Sequence, residues 1–410
     1  MKQILPLMAA LCLLTGCAAQ SAPSVPASTA PPPTAAPQTL TVYADAAALP
    51  ALQAYADARG VSLTTTQDAE SADLAVLDAP PAGEGWRDLL GDELLSAAAS
   101  RAGVTEGPCY ALPLGDTLYA YWADGTALTA LLGESAVTDL QNASWEEWQD
   151  FAEAFTDWVQ DPGVTKVTLS GAVHSLPEAM PEGLTLDGLF AAPDFDTALY
   201  TPALLAAGSA PSADTLAGPL NGLCSALLLE ADNSGSAPLF CRATLTALVA
   251  ERGAEGCEDL VAVPVKTDLV DSDLSTEEYN LTGLLNYPVL GCAGWLAVPD
   301  ATDEAGAKAA ASAILWLYSS GEGEKALTET LCLVTPWDTA SDKTAPGKRQ
   351  IEQVGAGILP APPVDGEAAA ALRQAETALL TSEKRTKSDR TAFVEATAAA
   401  LAEEKPPLWC

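Results

Sequence analysis

Tyr43, Asp45 and Asp78 stand just beyond short apolar runs that read as strands, at positions where side chains leave a sheet and can meet a ligand. A carboxylate placed there accepts protons from hydroxyl donors in fixed directions, and an aromatic ring can cover the apolar face of a sugar. Each acid also has a plainer role open to it, as a solvated loop carboxylate or a helix cap. Enzyme chemistry is poorly provided for. The chain carries no G-x-S-x-G, H-E-x-x-H or P-loop sequence, and its single histidine, His174 in "GAVHSLP", reads as a loop residue. Paired carboxylates serve glycosidases, but among 55 acidic residues some pairs arise by chance. The cysteines beyond position 17 (Cys109, Cys224, Cys241, Cys257, Cys292, Cys332 and Cys410) are scattered singly, without a C-x-x-C, so no metal site and no cofactor is expected. They are odd in number, which leaves at least one thiol free or paired with another molecule.

One cysteine has a different setting. Lys2 precedes an apolar run from Ile4 to Leu14, too short to span a bilayer but of signal-peptide length. It ends in Leu14-Thr15-Gly16-Cys17, which resembles the bacterial lipobox, in which the cysteine is lipidated and becomes the new N-terminus. The alternatives are a plain secretory signal or a short membrane anchor. Residues 18–38, "AAQSAPSVPASTAPPPTAAPQ", contain no aromatic or large aliphatic residue beyond valine and are biased to polyproline II. At about 3.1 Å per residue they can hold a domain up to roughly 60 Å from a membrane. Residues 1–17 are therefore expected to be a lipoprotein signal with Cys17 as lipidation site, and 18–38 a tether.

The remainder is long enough for two domains, each with a core. The formal net charge of −36 repels phosphate backbones, so no nucleic-acid partner is expected, while a hydrophobic content of 49% indicates a folded body. From Thr39 the order strand, helix, strand, strand predicts an α/β lobe: Leu40–Tyr43, a helix over 49–58 closed by Gly60, Val61–Thr65, and a run at 72–80 apolar on both faces. Ser144-x-x-Glu147 is a capping box, and Trp145, Trp148, Phe151, Ala152, Phe155 and Trp158 recur at helical spacing. That stripe reads as core rather than as a sugar platform. Asn286–Pro299 is an apolar strand-like run with two glycines. Helices follow from about position 303 to Tyr318, then to Leu331, and finally over 366–380 and 388–404.

The order of these segments resembles the family 1 extracellular solute-binding proteins of ABC importers, the maltose-binding-protein-like family. "TLTVYAD" looks like the family's opening strand. "CYALPLGDTLYAYWADGTAL" looks like its crossing into the second lobe, and "SWEEWQDFAEAFT" is similar to its T-W-D-E-F helix. "GCAGWLAVPDATDEAGAKAAASAILWLYSSGEGEKAL" resembles the block G-G-W-x-x-A-I-P … L-x-S-x-E-G-Q-x-A. The resemblance runs from Thr39 to about Leu401. It departs at Ala123, where the family carries asparagine, at Thr244, where it carries a sugar-stacking tryptophan, and over 164–210, which matches poorly.

The resemblance implies a two-lobed, type II periplasmic-binding-protein-like α/β fold, each lobe a doubly wound sheet flanked by helices, with the ligand cleft between them. It places the first lobe at 39–116 and 291–332 and the second at 117–290 and 333–405, with crossings near 114–117, 288–292 and 332–336. Asp116 falls where the family has a sugar-binding acid, Tyr119 follows in the same crossing, and Trp295 and Trp337 flank the later ones. Arg242 is a candidate partner for an anionic ligand. For Trp295 a core role remains equally open. The function implied is capture of a small solute, a carbohydrate first, and its delivery to permease subunits by a monomer lipid-anchored at the extracellular face of the membrane. The alternatives are a degenerate binding protein used for sensing or adhesion, and an exported glycan-active enzyme.

Overall fold

The computed structural model describes residues 38–93, 95–179, 181, 190–192, 200, 212–232, 240–242, 248, 257, 259–264, 266, 289–335, 337, 359–360, 364 and 366–402. Cys17 and the tether up to residue 37 lie outside them, as do Thr244, Cys410 and the side chains of Cys241 and Arg242.

In chain order the elements are β1 (Thr39–Tyr43), α1 (Leu49–Arg59), β2 (Ser62–Thr65), β3 (Leu74–Leu77), α2 (Ser96–Arg101), β4 (Ala111–Pro113), β5 (Asp116–Tyr119) and β6 (Tyr121–Asp124). Then come α3 (Gly125–Leu132), α4 (Ala136–Asn142), α5 (Trp145–Gln160), β7 (Thr165–Leu169), β8 (Ala172–Leu176), β9 (Phe190–Ala192), α6 (Ala213–Asp232), β10 (Phe240–Arg242) and β11 (Leu260–Val263). The last are β12 (Val289–Cys292), β13 (Trp295–Ala297), α7 (Glu304–Ser319), α8 (Gly321–Lys325), β14 (Leu359–Pro360), α9 (Gly366–Thr381) and α10 (Lys387–Ala402).

The first sheet has the order β2-β1-β3-β13-β4. Strands β2 and β3 run parallel to β1, and β13 is antiparallel to both β3 and β4. Helix α1 starts with Pro50 in its first turn, where a missing N–H costs nothing, and ends at Gly60 with φ +65°, a left-handed cap that suits glycine. One face of the sheet carries Leu40, Val42, Leu74, Leu112 and Leu296, packed against α1, α2 and α7 in the first core. The opposite face carries a smaller cluster of Ala111, Trp295 and Ala297 with Leu77, Trp86 and Cys292.

A second core forms around α5. Ser144 and Glu147 make both bonds of the capping box. Trp148, Phe151, Ala152, Phe155 and Trp158 are buried, as the spacing predicts, while Trp145 is only partly so. This core takes in Tyr121 and Ala123 of β6, α6, α9 and α10, whereas Trp122 on the other face of β6 joins Leu118, Leu260 and Cys332. The sheet here is β10-β9-β6-β11, and β7 pairs with β8 as a separate hairpin.

Three readings of the sequence change. His174 is not a loop residue: it lies in β8, 6% exposed, with Nδ1 2.8 Å from the Leu132 carbonyl and Nε2 3.0 Å from Asp139. The run 286–299 holds two strands in two different sheets, broken at Ala293–Gly294. Leu333 belongs to the first core and Trp337 packs at its rim, although the sequence reading put both in the second lobe.

The chain passes between the cores through a small sheet, β14-β12-β5, with β5 antiparallel to β12. A bridge joins Asp116 to Val334. Asp116 N–H donates to the Val334 carbonyl at 2.7 Å, Val334 N–H returns the bond at 2.8 Å, and Ala293 N–H donates to Gly115 at 2.8 Å. Gly115 allows this approach: its φ is +153°, and a Cβ there would stand 3.0 Å from Leu333 Cβ.

Candidate functional site

The parallel strands decide where side chains gather. Strands β1, β3 and β4 end at one edge of the first sheet, and antiparallel β13 begins there, with Trp295 opposite both Leu77 and Pro113. Tyr43 closes β1, Asp45 and Asp78 follow β1 and β3, and β4 leads through Leu114 and Gly115 to Asp116. The sequence candidates Tyr43, Asp45, Asp78, Asp116 and Trp295 therefore share the carboxyl edge of the sheet, where open α/β sheets bind ligands.

Their individual roles differ. Asp45 accepts a bond from Ala48 N–H at 2.8 Å and shapes the entry to α1, a capping role. Asp78 is 82% exposed and lies 3.7 Å from Arg373 on α9. Tyr119 donates its hydroxyl to the Cys292 carbonyl at 3.0 Å, tying β5 to β12. Trp295 is 8% exposed within its cluster, so it packs and offers no stacking platform. Trp337 lies against Tyr318 with ring centroids 4.5 Å apart, and the Arg101 guanidinium sits 4.8 Å from its centroid, so both neighbours are aromatic-core and cation–π contacts. Arg242 ends β10, an edge strand of the second sheet, and its side chain lies outside the described residues.

Asp116 stands apart from all of these. Its backbone is fully engaged in the crossing, yet its carboxylate has no hydrogen-bond or ion-pair partner among the described residues. Burial alone pushes this carboxyl up to about 6. Around it lie groups the sequence did not single out. Cys292, facing Asp116 across the β5–β12 register, donates its thiol to the Gly294 carbonyl at 2.9 Å. Burial, with the Asp116 charge adding to it, pushes that thiol up to about 12. Tyr318 of α7 donates to the Pro113 carbonyl, and burial together with Cys292, Cys109 and Asp116 holds its hydroxyl well above the usual tyrosine range. Burial, aided by the Asp88 charge, likewise pushes Cys109 up to about 11. None of Cys109, Cys224, Cys257, Cys292 and Cys332 is in a disulfide. The thiols and the phenol stay neutral near pH 7, so Asp116 is the one group of this cluster that carries charge there, and no described residue bonds to its carboxylate.

Two further cations were missed. Lys266 is 2% exposed, donates from Nζ to the Gln141 carbonyl at 2.6 Å, and is lowered by burial to about 7, with Glu147 acting in the opposite sense. Arg373 is the single cation in the alanine-rich α9, which was the one local signal available for it. A groove on the second lobe, lined by Trp145, Glu153, Asp157, Asp232 and Arg390 among others, contains none of the sequence candidates. Among the described residues no group of three His, Cys, Asp or Glu is placed to hold a metal ion.

No protein-family model matches the chain, and no curated protein matches it by sequence. Solved structures do. A sugar transporter from Bacillus licheniformis in complex with stachyose superposes with a TM-score of 0.55 at 12% identity, covering 88% of this chain and 100% of that one. Maltose-bound MalE3 from T. maritima gives a TM-score of 0.51 at 13% identity, covering 88% and 98%. At such identity the likeness speaks for the fold, and the chain has the two-lobed α/β fold of these proteins, with its cleft between the lobes.

Proposed function

We propose that this protein is a solute-binding protein of the family 1 type, which captures a carbohydrate in the cleft and delivers it to the permease of an ABC importer. The observation that carries the reading is the Asp116 carboxylate, an unpartnered acceptor in the first crossing, at the edge of the first sheet. Asp116 is half-buried, and a half-buried acceptor that no described residue bonds carries a desolvation cost that hydroxyl groups of a ligand would remove. The fold neighbours bound to stachyose and maltose support the ligand class. Tyr43 and Asp78 share the same edge and complete the proposed contact set, with Tyr119 and Asp45 holding the frame and Arg242 kept as a contact from the second lobe.

The location follows from the leader. Lipid on Cys17 and the proline-rich tether would hold a monomer at the extracellular face of the membrane beside its permease, and a diacylglyceryl group supplies the two chains that firm anchoring takes. Mass spectrometry of the membrane fraction checks this: a mature chain beginning at acylated Cys17 is expected, and an unmodified secreted chain would remove the anchor from the account.

A second reading, a ligand-presenting protein used for sensing or adhesion, is favoured by one observation. Trp295 and Trp337 are both engaged in packing, so the family's manner of stacking on a sugar is not reproduced by them. A thermal-shift screen of the chain from Thr39 onward against stachyose, maltose, maltotriose, polyols, amino acids and peptides decides the ligand class. Stabilisation by an oligosaccharide is expected. A screen in which only a non-sugar raises the melting temperature would overturn the carbohydrate assignment while leaving the fold untouched.

A further inference from the structure

The crossings are not the sole link between the two cores. Strand β3 belongs to the first sheet, but the residues just beyond it reach across to the second lobe. Ala79 packs against the second core, whose members include Ala368, Ala369, Leu372 and Ala375 of α9. Next to Ala79 and Leu372 in sequence stand Asp78 and Arg373, 3.7 Å apart. A small apolar contact and an opposite-charge pair thus join the edge of the first sheet to a helix of the second lobe, at the side of the molecule where Asp116 leaves the first sheet.

Two lobes that admit a ligand must separate somewhere, and the hydrogen-bonded crossings of β5, β12 and Val334 form the part that stays together. Among the described residues no strand ladder joins residues 78–79 to α9. That contact is where separation can occur. We infer that Asp78 and Arg373 form a reversible electrostatic latch that favours the closed arrangement of the lobes before any ligand enters. Both side chains are solvent-accessible, at 82% and 43%, so the pair is weak, screened by salt and easily broken. That weakness suits a latch. A pair of this kind biases an open–closed equilibrium by about two- to fivefold, enough to set the resting population without trapping a ligand. Asp78 is then one residue with two uses, holding Arg373 in the empty protein and freed for ligand or water when the lobes part. The inference rests on the two lobes moving and not on what the ligand is.

Small-angle X-ray scattering on the unliganded chain from Thr39 onward tests it. At low salt Asp78→Arg, which sets two cations against each other, should raise the open population about two- to fivefold, read as an increase in the radius of gyration. Arg373→Glu should do the same, and the double exchange Asp78→Arg with Arg373→Glu should restore the wild-type curve. Raising the salt to about 1 M, where the screening length of roughly 3 Å falls below the 3.7 Å separation of the pair, should open the wild type and leave Asp78→Arg no more open than before. Asp78 is too exposed for its replacement to threaten folding. Scattering curves unchanged in both single variants, or single-variant opening that the double exchange fails to reverse, would overturn the latch. No ligand enters the experiment, so a wrong ligand class would leave its outcome intact.

Discussion

Two carboxylates show how differently this fold treats the same group. Glu147, in the first turn of α5, accepts from Ser144 N–H at 2.9 Å, Ser170 N–H at 3.0 Å and Gly171 N–H at 2.9 Å. Burial works against its charge, but these backbone donors and the Ser144 hydroxyl outweigh it and hold the carboxyl below the usual glutamate range. Asp116, in the crossing, has its backbone bonded on both sides and its carboxylate bonded to nothing described, and burial raises it to about 6. The first acid is spent on structure: it joins a helix start to the β7–β8 turn. The second is held in reserve. A charge left unbonded in a half-dry place marks a candidate functional group, and under the proposed function the donors of a ligand would satisfy it.

The contrast has a sign that experiment can read. In Asp116 the folded protein holds the proton more tightly than the unfolded chain does. Between roughly pH 4 and 6 it therefore binds more protons than the unfolded chain, and stability falls as the pH rises through that window. Asp116→Asn should abolish this slope and leave the variant about 2–3 kcal/mol more stable than wild type at pH 7, measured by urea unfolding at a series of pH values. A variant less stable than wild type at neutral pH would mean that the carboxylate already has a structural partner.

Glu147 should show the reverse. Its lowered value means that the unfolded chain takes up protons first, so its contribution is present above the ordinary glutamate value near 4.5 and is lost as the pH falls below it. Glu147→Ala should cost about 1–2 kcal/mol at pH 7 through the lost cap, and the cost should shrink in acid. A cost that does not vary with pH would break the comparison. Smaller still is Tyr318→Phe, which removes the bond to the Pro113 carbonyl beside Asp116. About 1 kcal/mol is expected in unfolding experiments, and an unchanged midpoint would place that hydroxyl outside the hydrogen-bonding of the crossing.

What the sequence disclosed follows the range over which each signal acts. Helix α5 was legible because Ser144, Glu147 and the aromatic stripe are local and mutually consistent, and α1 because Pro50 and Gly60 bracket it. The strand-end acids were legible as strand ends. Their partners were not, since Arg373 meets Asp78 and Tyr318 and Cys292 meet Asp116 only through tertiary contacts distant in the chain. The apolar run at 286–299 reads the same whether it makes one strand or two. The break at Ala293–Gly294 is set by bonds to Gly115 and Leu114, which no local pattern contains. His174 has the same lesson: Leu132 and Asp139 make it a buried strand residue, and nothing beside it in "GAVHSLP" announces them. Trp295 stayed ambiguous in the sequence, because ring size suits stacking on a sugar and filling a core equally well.

Whether the Asp116 carboxylate awaits a ligand's donors is decided by calorimetric titration. Wild type and Asp116→Asn would be titrated at pH 7 with whichever oligosaccharide gives the largest thermal shift. The variant should bind about 10- to 100-fold more weakly, the range expected for a charged hydrogen bond, while melting no lower than wild type. Equal dissociation constants for the two proteins would contradict it.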